Sequence, residues 1–304
     1  MKSARAPLAA YACLAGSMAL VGSYVGLSKL LVAVIPVFLL AWMRFCIAAV
    51  AMAHWVRLQP GDQPLSRHDR TLLFWESFLG NFLFSIFMLF GVLHSTALAA
   101  GVIMATIPAA VALMSRFFLG ERITNRVGAG IACAVGGIAL VSVTRGDAPN
   151  DGSLLGNALL FAAVLCEASY VIIGKKLTGN VSPRRISALV NLWGLALVTP
   201  FGLWQALSFD FSRLTPPLGL LLLFYALAAS MWTVWLWMTG LKHVEASRAG
   251  VFTVLLPITA AAVGVLLLGE AVSEVQLAAF AFAMAGLLLA TWPSRPGGPG
   301  RPTQ

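Results

Sequence analysis

Apolar runs of about 20 residues recur along the whole chain and are separated by short polar linkers. A helix of about 20 residues spans the hydrocarbon core of a bilayer, which is about 30 Å thick. We predict ten such spans, at roughly residues 8–29, 34–56, 72–94, 97–118, 124–143, 153–174, 184–207, 216–240, 246–268 and 273–292. The linkers carry helix-breaking Pro and Gly residues. The pattern therefore predicts an all-α polytopic membrane protein.

Two segments of the chain are copies of each other. Residues 97–142 and 246–291 align without a gap. An apolar chain gives chance matches of Ala and Leu, whereas a Pro and a Gly–Glu pair matched in one register indicate duplication. Residues 23–25 also match residues 169–171. The other informative pairs are Pro36 with Pro183, Gly91 with Gly240, Gly101 with Gly250, Pro108 with Pro257, Gly120 with Gly269, and Glu121 with Glu270.

Each copy contains five predicted spans, which is an odd number. Copies of an odd-span unit must enter the bilayer from opposite sides, so the sequence predicts two inverted-topology five-helix repeats. This is a transporter architecture, with the site expected at the repeat interface near the bilayer midplane. We predict a first repeat at residues 1–143, a periplasmic linker at 144–152, a second repeat at 153–292 and a disordered cytoplasmic tail at 293–304.

The distribution of Lys and Arg sets the predicted orientation. With the N-terminus inside, only Lys29, Arg145 and Arg213 among the loop residues face the opposite side. We therefore predict that both termini are cytoplasmic and that the protein lies in a bacterial inner membrane. The basic residues Lys2 and Arg5 before an apolar run also fit a signal peptide. We favour a span, because the run is long and has a partner later in the chain.

The composition narrows the classes of function. Hydrophobic residues make up 60% of the chain, charged residues 10%, and the mean hydropathy is +0.89. The net charge of +9 is spread over loops without an Arg/aromatic patch, so no nucleic-acid partner is predicted. No catalytic or nucleotide-binding motif occurs, and we predict no enzyme activity, cofactor or metal. Packing is the default role for the cysteines, which fall inside spans: Cys13, Cys46, Cys133 and Cys166.

Several polar residues lie at membrane depth, where burial is costly. Arg44 is either a structural group, paired or bonded to carbonyls, or a coupling residue. Glu76 is either a solvated carboxylate at headgroup level or a cavity residue. A cavity or proton-handling role and a structural role are both open for Glu167. Asn81 and Ser85 follow Glu76 at helical spacing, and they either line a cavity or bond helix to helix.

Two prolines fall near the centres of matching spans. Pro108 and Pro257 each lie about 11 residues into a span, close to the bilayer midplane. Each proline frees the carbonyl four residues back, which belongs to Met104 or Thr253. In lipid that carbonyl must be satisfied by neighbours, water or a ligand. The symmetry favours a hinge or cavity role for these positions, and a plain packing kink is the alternative.

Aromatic residues accompany the polar positions. Tyr24 and Tyr170 occupy matching places in spans one and six. Trp232 and Trp235 in span eight lie deeper than an interfacial aromatic belt predicts. These tryptophans either face lipid or line a cavity that accepts flat or apolar side chains.

Several of these residues together resemble a known family. Pro36 with Arg44 and Phe45, Gly101 with Pro108, the Gly–Glu pair and the second copy are similar to the EamA type of the drug/metabolite transporter superfamily. The resemblance implies ten helices in two inverted repeats that move metabolites by alternating access. Within the superfamily the chain most resembles bacterial exporters of aromatic amino acids. That likeness implies outward transport of a neutral amino acid with an aromatic or large apolar side chain.

The predicted substrate site is a central cavity between the repeats. Hydroxyl and amide groups would bind the amino and carboxylate groups, Glu167 would meet the ammonium group or carry a proton, and the two tryptophans would face the side chain. The predicted substrate-binding residues are Tyr24, Asn81, Ser85, Glu167, Tyr170, Trp232 and Trp235.

Other functions and properties are left open by the sequence. The predicted partners are a small-molecule substrate and the lipid bilayer. The alternatives are an exporter of drugs or organic cations, a passive channel and a membrane scaffold. The energy source is either an antiported proton or the substrate gradient alone. The oligomeric state is open, and a monomer is compatible with the sequence.

Overall fold

The computed structural model of the 304-residue chain describes residues 5–57, 64–94, 103, 106–144, 154–268 and 274–291. All regular secondary structure in these ranges is helical. Within them, the helices long and apolar enough to cross a membrane are Arg67–Met88, Leu154–Asn180, Pro183–Ser208 and Pro216–His243. Shorter apolar helices lie at Leu8–Tyr24, Val37–Ala51 and Ile107–Phe118. The predicted all-α membrane fold is thus confirmed, and the count of ten spans stays a prediction.

The helices follow the order of the predicted spans. The first half contains α1 (Arg5–Val32), α2 (Val37–Ala51), α3 (Arg67–Ser77), α4 (Phe84–Leu93), α5 (Ile107–Phe118) and α6 (Asn125–Thr144). The second half contains α7 (Leu154–Asn180), α8 (Pro183–Ser208), α9 (Pro216–Leu227), α10 (Thr233–His243), α11 (Ala246–Val251), α12 (Leu255–Leu268) and α13 (Glu274–Thr291). Short 3₁₀ turns lie at Ala53–Trp55, Phe211–Arg213 and Phe252–Val254.

Prolines and capping side chains fix several helix starts. α2 follows Pro36, and α8 and α9 begin at Pro183 and Pro216, where a proline loses no helical hydrogen bond. α3 begins with a capping box. Ser66 Oγ accepts from the N–H of Asp69 at 3.0 Å, and the Asp69 carboxylate accepts from the N–H of Ser66 at 3.1 Å. These helix starts are therefore encoded locally.

The first helix of each half packs against the other half. α1 contacts α10 and α12, whereas α7 contacts α4 and α5. The second helices of the two halves, α2 and α8, contact each other, and so do α6 and α13. Several pairs of corresponding helices thus contact each other at the interface between the two halves.

Buried polar side chains join helices across this interface. Ser77 Oγ donates to the carbonyl of Val190 at 2.9 Å and links α3 to α8. Asn191 Nδ2 donates to the carbonyl of Phe45 at 3.1 Å and links α8 to α2. Because the bilayer core offers no water as a partner, such bonds satisfy polar groups that would otherwise be costly to bury.

Each half also contains a π-helical segment at a matching position. Phe78–Leu83 joins α3 to α4, and Ala228–Trp232 joins α9 to α10. The alignment of the two copies places Asn81 in the first segment opposite Ser230 in the second. π-helical insertions are frequent at functional sites, since they redirect side chains within an otherwise continuous helix.

The two aligned prolines lie in the first turns of α5 and α12. Pro108 is the second residue of α5, and Pro257 is the third residue of α12. A proline in the first turn of a helix loses no helical hydrogen bond. Before Pro257 the 3₁₀ turn Phe252–Val254 joins α11 to α12 without a break, so the helical run changes its geometry just before the proline. Thr253 lies in the preceding 3₁₀ turn, and its Oγ1 donates to the carbonyl of Gly250 at 2.8 Å. Met104 lies outside the described residues, and the hinge role of these positions stays a prediction.

Candidate functional site

A cavity of about 170 Å³ lies between α2, the first π-helical segment with α4, α8 and α9. Both halves of the chain therefore contribute to its wall. The wall is mostly apolar and aromatic, and the guanidinium of Arg44 is the charged group among its lining residues. The lining side chains that bear on its chemistry are Phe38, Arg44, Phe45, Asn81, Phe82 and Tyr225.

The Arg44 side chain is surrounded by aromatic rings. The central carbon of its guanidinium lies 4.4 Å from the ring centre of Phe45 and 5.9 Å from that of Tyr225. Its Nε is buried and donates no hydrogen bond within the described part of the chain. The ion pairs between described residues, Arg213 with Asp210 and Arg248 with Glu245, do not include it.

Tyr24 connects this cavity to a second polar cluster. Its ring lies edge-on to the ring of Tyr225, with 5.6 Å between the centroids. Tyr24 also lies within electrostatic range of both Arg44 and Glu167. The polar groups of α1, α2 and α7 therefore form one continuous set.

Two glycines bring the α3 segment and α7 together around Glu76. A Cβ at Gly174 would lie 2.9 Å from Glu76 Oε1, and a Cβ at Gly80 would lie 2.8 Å from Cγ of Tyr170. Each segment thus places a glycine opposite a polar side chain of the other. Glu76 is 0% exposed, and neither of its carboxyl oxygens has a hydrogen-bond partner in the described ranges. Glu167 lies near enough to interact with it electrostatically.

The two carboxyl groups form an unusual pair for a membrane interior. A buried carboxylate without a hydrogen bond or a cation is costly by several kcal/mol or more. Such groups are retained in transporters where they bind protons, ions or substrate. No group of three or more His, Cys, Asp or Glu side chains that could hold a metal occurs among the described residues. As acidic groups in the interior of a transporter, Glu76 and Glu167 are candidates for binding a proton, an ion or a group of the substrate.

Most of the predicted site residues lie in this one region. Asn81 lines the cavity beside Arg44. Tyr24, Tyr170 and Glu167 form the adjoining polar cluster with Glu76. The backbone of Ser85 lies in the first turn of α4, and its side chain lies outside the described part.

The two predicted tryptophans lie elsewhere. The ring of Trp235 lies 6.1 Å from that of Trp55, and the Arg184 guanidinium carbon lies 5.9 Å from its centre. Trp232 ends the second π-helical segment with 37% of its surface exposed. Neither residue is among those lining the cavity. A substrate-facing role for these tryptophans stays a prediction without a supporting contact.

Some wall residues were not among the predicted site residues. Phe38 and Phe45 of α2 supply much of the aromatic wall, yet they resemble the many other apolar residues of the spans. Tyr225 was identifiable from the sequence, because the alignment of the two copies places it opposite another polar residue, Glu76.

A set of polar contacts made by Glu121 and Lys175, which we call the latch, joins helices at one end of the bundle. The carboxylate of Glu121, after α5, accepts hydrogen bonds from the N–H groups of Ala246 and Ser247 at 2.7 and 3.0 Å. It also accepts from Ser247 Oγ at 2.9 Å. A carboxylate at a helix N-terminus is favourable for both its charge and its hydrogen bonds. Lys175 of α7 adds bonds from Nζ to the carbonyls before α11, those of Leu241 and Val244, at 2.7 and 2.5 Å.

The cavity lies toward the opposite end of the bundle. A Cβ at Gly240, near the latch, would lie 2.7 Å from the carbonyl of Ala10, early in α1. The cavity wall instead includes Val32 and Val37, at the turn where α1 ends and α2 begins. The helices are therefore fastened at one end and leave a cavity toward the other.

Comparison with known proteins gives a family match and several similar transporters. The EamA-like transporter family matches residues 8–143 and 154–292. The uncharacterized transporter YetK of Bacillus subtilis (strain 168) is 35% identical over 286 residues, which cover 93% of this chain and 86% of the relative. An uncharacterized transporter of Archaeoglobus fulgidus is 25% identical over 252 residues, which cover 82% of this chain and 87% of that protein.

The fold also matches a solved crystal structure. That structure is 18% identical in sequence and superposes with a TM-score of 0.75. The match covers 95% of this chain and 97% of the other. At this identity the likeness concerns the fold. Family and relatives together show that the chain belongs to the EamA-like transporter family and is a multi-pass membrane transporter rather than an enzyme.

Proposed function

We propose that the protein exports amino acids with aromatic or other large neutral side chains across the bacterial inner membrane. The observation that carries this proposal is the aromatic cavity with Arg44 in its wall, next to a polar cluster that contains Tyr24, Glu76 and Glu167. A cavity that is mostly apolar, with a few convergent polar groups, suits a small ligand of the same character. A neutral amino acid carries one positive group, one negative group and one apolar side chain.

The proposed mechanism is alternating access between two inverted five-helix repeats, with both termini cytoplasmic. The contacts of α1 with the second half and of α7 with the first half support a rocking motion of one half against the other. The latch at Glu121 fastens one end while the cavity lies toward the other. Release of that latch, with closure of the opposite end, would move the substrate across.

Flux of radiolabelled amino acids through proteoliposomes tests the site. We expect Asn81→Ala and Glu167→Gln to reduce amino acid flux by about tenfold or more, because each removes a polar partner of the substrate. Trp204→Ala is the control, since Trp204 is 72% exposed and lies outside the cavity. If both site variants transport at the rate of the control, the assignment of the site is wrong.

An exporter of organic cations is the second candidate. It is favoured by the same two carboxyl groups, Glu76 and Glu167, because anionic groups in a transporter interior attract cations. Competition between a neutral amino acid and a cationic dye for binding to the purified protein separates the two functions. Displacement of the dye by amino acids supports amino acid export, whereas dye transport that amino acids leave unaffected supports the alternative.

A further inference from the structure

Arg44 places a positive charge in the cavity wall, and no carboxylate of the described ranges forms an ion pair with it. Within the described residues it has no carboxylate at ion-pair distance, and its buried Nε donates no hydrogen bond. The rings of Phe45 and Tyr225 stabilise the cation only partly. Burial of a charge costs more than such contacts return. The guanidinium therefore has donors and charge left for an anion that enters the cavity.

The matching position in the second half argues against a packing role for this charge. Aligning Pro36 with Pro183 places Arg44 opposite Asn191. Asn191 makes a structural contact, since its amide donates to the carbonyl of Phe45 at 3.1 Å and joins α8 to α2. At this pair of aligned positions, the neutral Asn191 makes the contact between α8 and α2. Among the described residues, Arg44 makes no equivalent bond to α8.

We propose that Arg44 binds the α-carboxylate of the transported molecule and so restricts the substrate class to free carboxylates. This inference rests on the proposed function, because it assigns one group of the amino acid to one residue. The planar guanidinium donates two parallel hydrogen bonds to a carboxylate, a geometry that Lys cannot reproduce. Phe38 and Phe82 of the cavity wall face the apolar side chain. The ammonium group would then lie toward the adjoining polar cluster that contains Glu167.

The charge of Arg44 also opposes the rival substrate class. An organic cation in the cavity would meet a like charge that no protein anion neutralises at ion-pair distance in the described ranges. Like charges brought together in a buried site disfavour the wrong ligand and so contribute to specificity. A carboxylate, in contrast, neutralises the guanidinium as it binds.

The experiment measures binding to the full-length protein in nanodiscs by calorimetry. The probes are L-phenylalanine, its amide, phenethylamine, which lacks the carboxylate, and 3-phenylpropionate, which lacks the ammonium group. We expect wild-type protein to bind phenylalanine and 3-phenylpropionate, and to bind the amide and phenethylamine at least tenfold more weakly. Arg44→Gln should lose about tenfold or more in affinity for both carboxylates, since it removes a charge-assisted pair. Arg44→Lys should recover part of that loss.

A matched control separates the site from general effects of charge. Arg184→Gln also removes a guanidinium stacked on aromatic rings, those of Trp55 and Trp235, but outside the cavity. It should bind all four probes as wild-type protein does. Thermal unfolding confirms that each variant is folded before binding is compared.

The outcomes distinguish this inference from the proposed function. Unchanged phenylalanine affinity in folded Arg44→Gln, or equal binding of phenethylamine and phenylalanine by wild-type protein, overturns the role of Arg44. Binding of 3-phenylpropionate that depends on Arg44, without binding of any amino acid, keeps the carboxylate site and contradicts amino acid export. Wild-type protein that binds none of the carboxylates contradicts the inference directly.

Discussion

The positions of Glu76 and Tyr170 depend on two residues that have no side chain. Gly174 lets the carboxyl of Glu76 lie against α7, and Gly80 lets the ring of Tyr170 lie against the first π-helical segment. A larger residue at Gly80 would meet Cβ and Cγ of Tyr170, and the position of Cβ is fixed by the backbone of α7. At the residue scale, the positions of the polar side chains therefore depend on close packing against these two glycines.

A methyl group added at Gly80 tests this close packing. We expect Gly80→Ala to lower the free energy of unfolding by about 1–3 kcal/mol, the usual cost of overpacking a filled interior. Gly136→Ala in α6 is the control, because a Cβ there meets open space. That change should be neutral or stabilising by about 0.5–1 kcal/mol. Equal thermal unfolding of the two variants in detergent would contradict the close packing of the first π-helical segment against α7.

Single residues of the site were predictable where they broke the apolar pattern. Tyr24, Asn81 and Glu167 stand out in apolar spans, and the structure brings them to one region. The direction of Trp235 was not predictable, because the faces of a span that is apolar all round look alike in sequence. The partners of Trp235, Trp55 and Arg184, come from helices distant in the chain. Phe38 gave no signal for the same reason.

At the element scale, the two halves share interruptions as well as helices. The duplicated sequence predicted matching spans, and both halves contain a π-helical segment and a helix that starts at an aligned proline. The prolines were expected inside continuous helices, because an apolar run does not show where one helix ends and the next begins. The π-helical segments could not be predicted from local sequence, because a π-helical insertion leaves the apolar composition of the span unchanged.

The latch at Glu121 is an element-scale contact that can be measured directly. Glu121→Ala removes the acceptor for the N–H groups of Ala246 and Ser247. Hydrogen bonds to charged groups contribute about 1.5–3 kcal/mol, so exchange of these amides should become about tenfold faster or more. Hydrogen–deuterium exchange with mass spectrometry of peptides covering the start of α11 measures this rate.

The control for the latch is Glu274→Ala. Glu274 is an exposed carboxylate in the first turn of α13, distant in sequence from α11. Its removal should leave exchange at the start of α11 unchanged. Unchanged exchange in Glu121→Ala as well would show that the carboxylate does not fasten this end of the bundle.

At the scale of the whole molecule, the first helix of each half packs against helices of the other half. α1 packs on α10 and α12, and α7 packs on α4 and α5. A half expressed alone would leave those helix faces without their partners. The family matches cover residues 8–143 and 154–292, so the chain can be divided in the segment between these two ranges.

Division of the chain at that place tests the interdependence of the halves. We expect the two halves expressed together to co-purify in detergent and to unfold in one transition. Each half expressed alone should aggregate or unfold at a lower temperature, because its interface is unfilled. An isolated half that is monodisperse and as stable as the intact protein would contradict this account, in which α1 and α7 each pack on the other half.

The central claim is that this transporter moves neutral amino acids with large apolar side chains. The most direct measurement is a counterflow screen across the amino acids with the purified full-length protein in liposomes. We expect uptake of labelled phenylalanine, tryptophan or leucine into liposomes loaded with the same amino acid, and little uptake of aspartate or lysine. Counterflow of none of the amino acids by folded protein, together with uptake of a cationic dye, would contradict the claim.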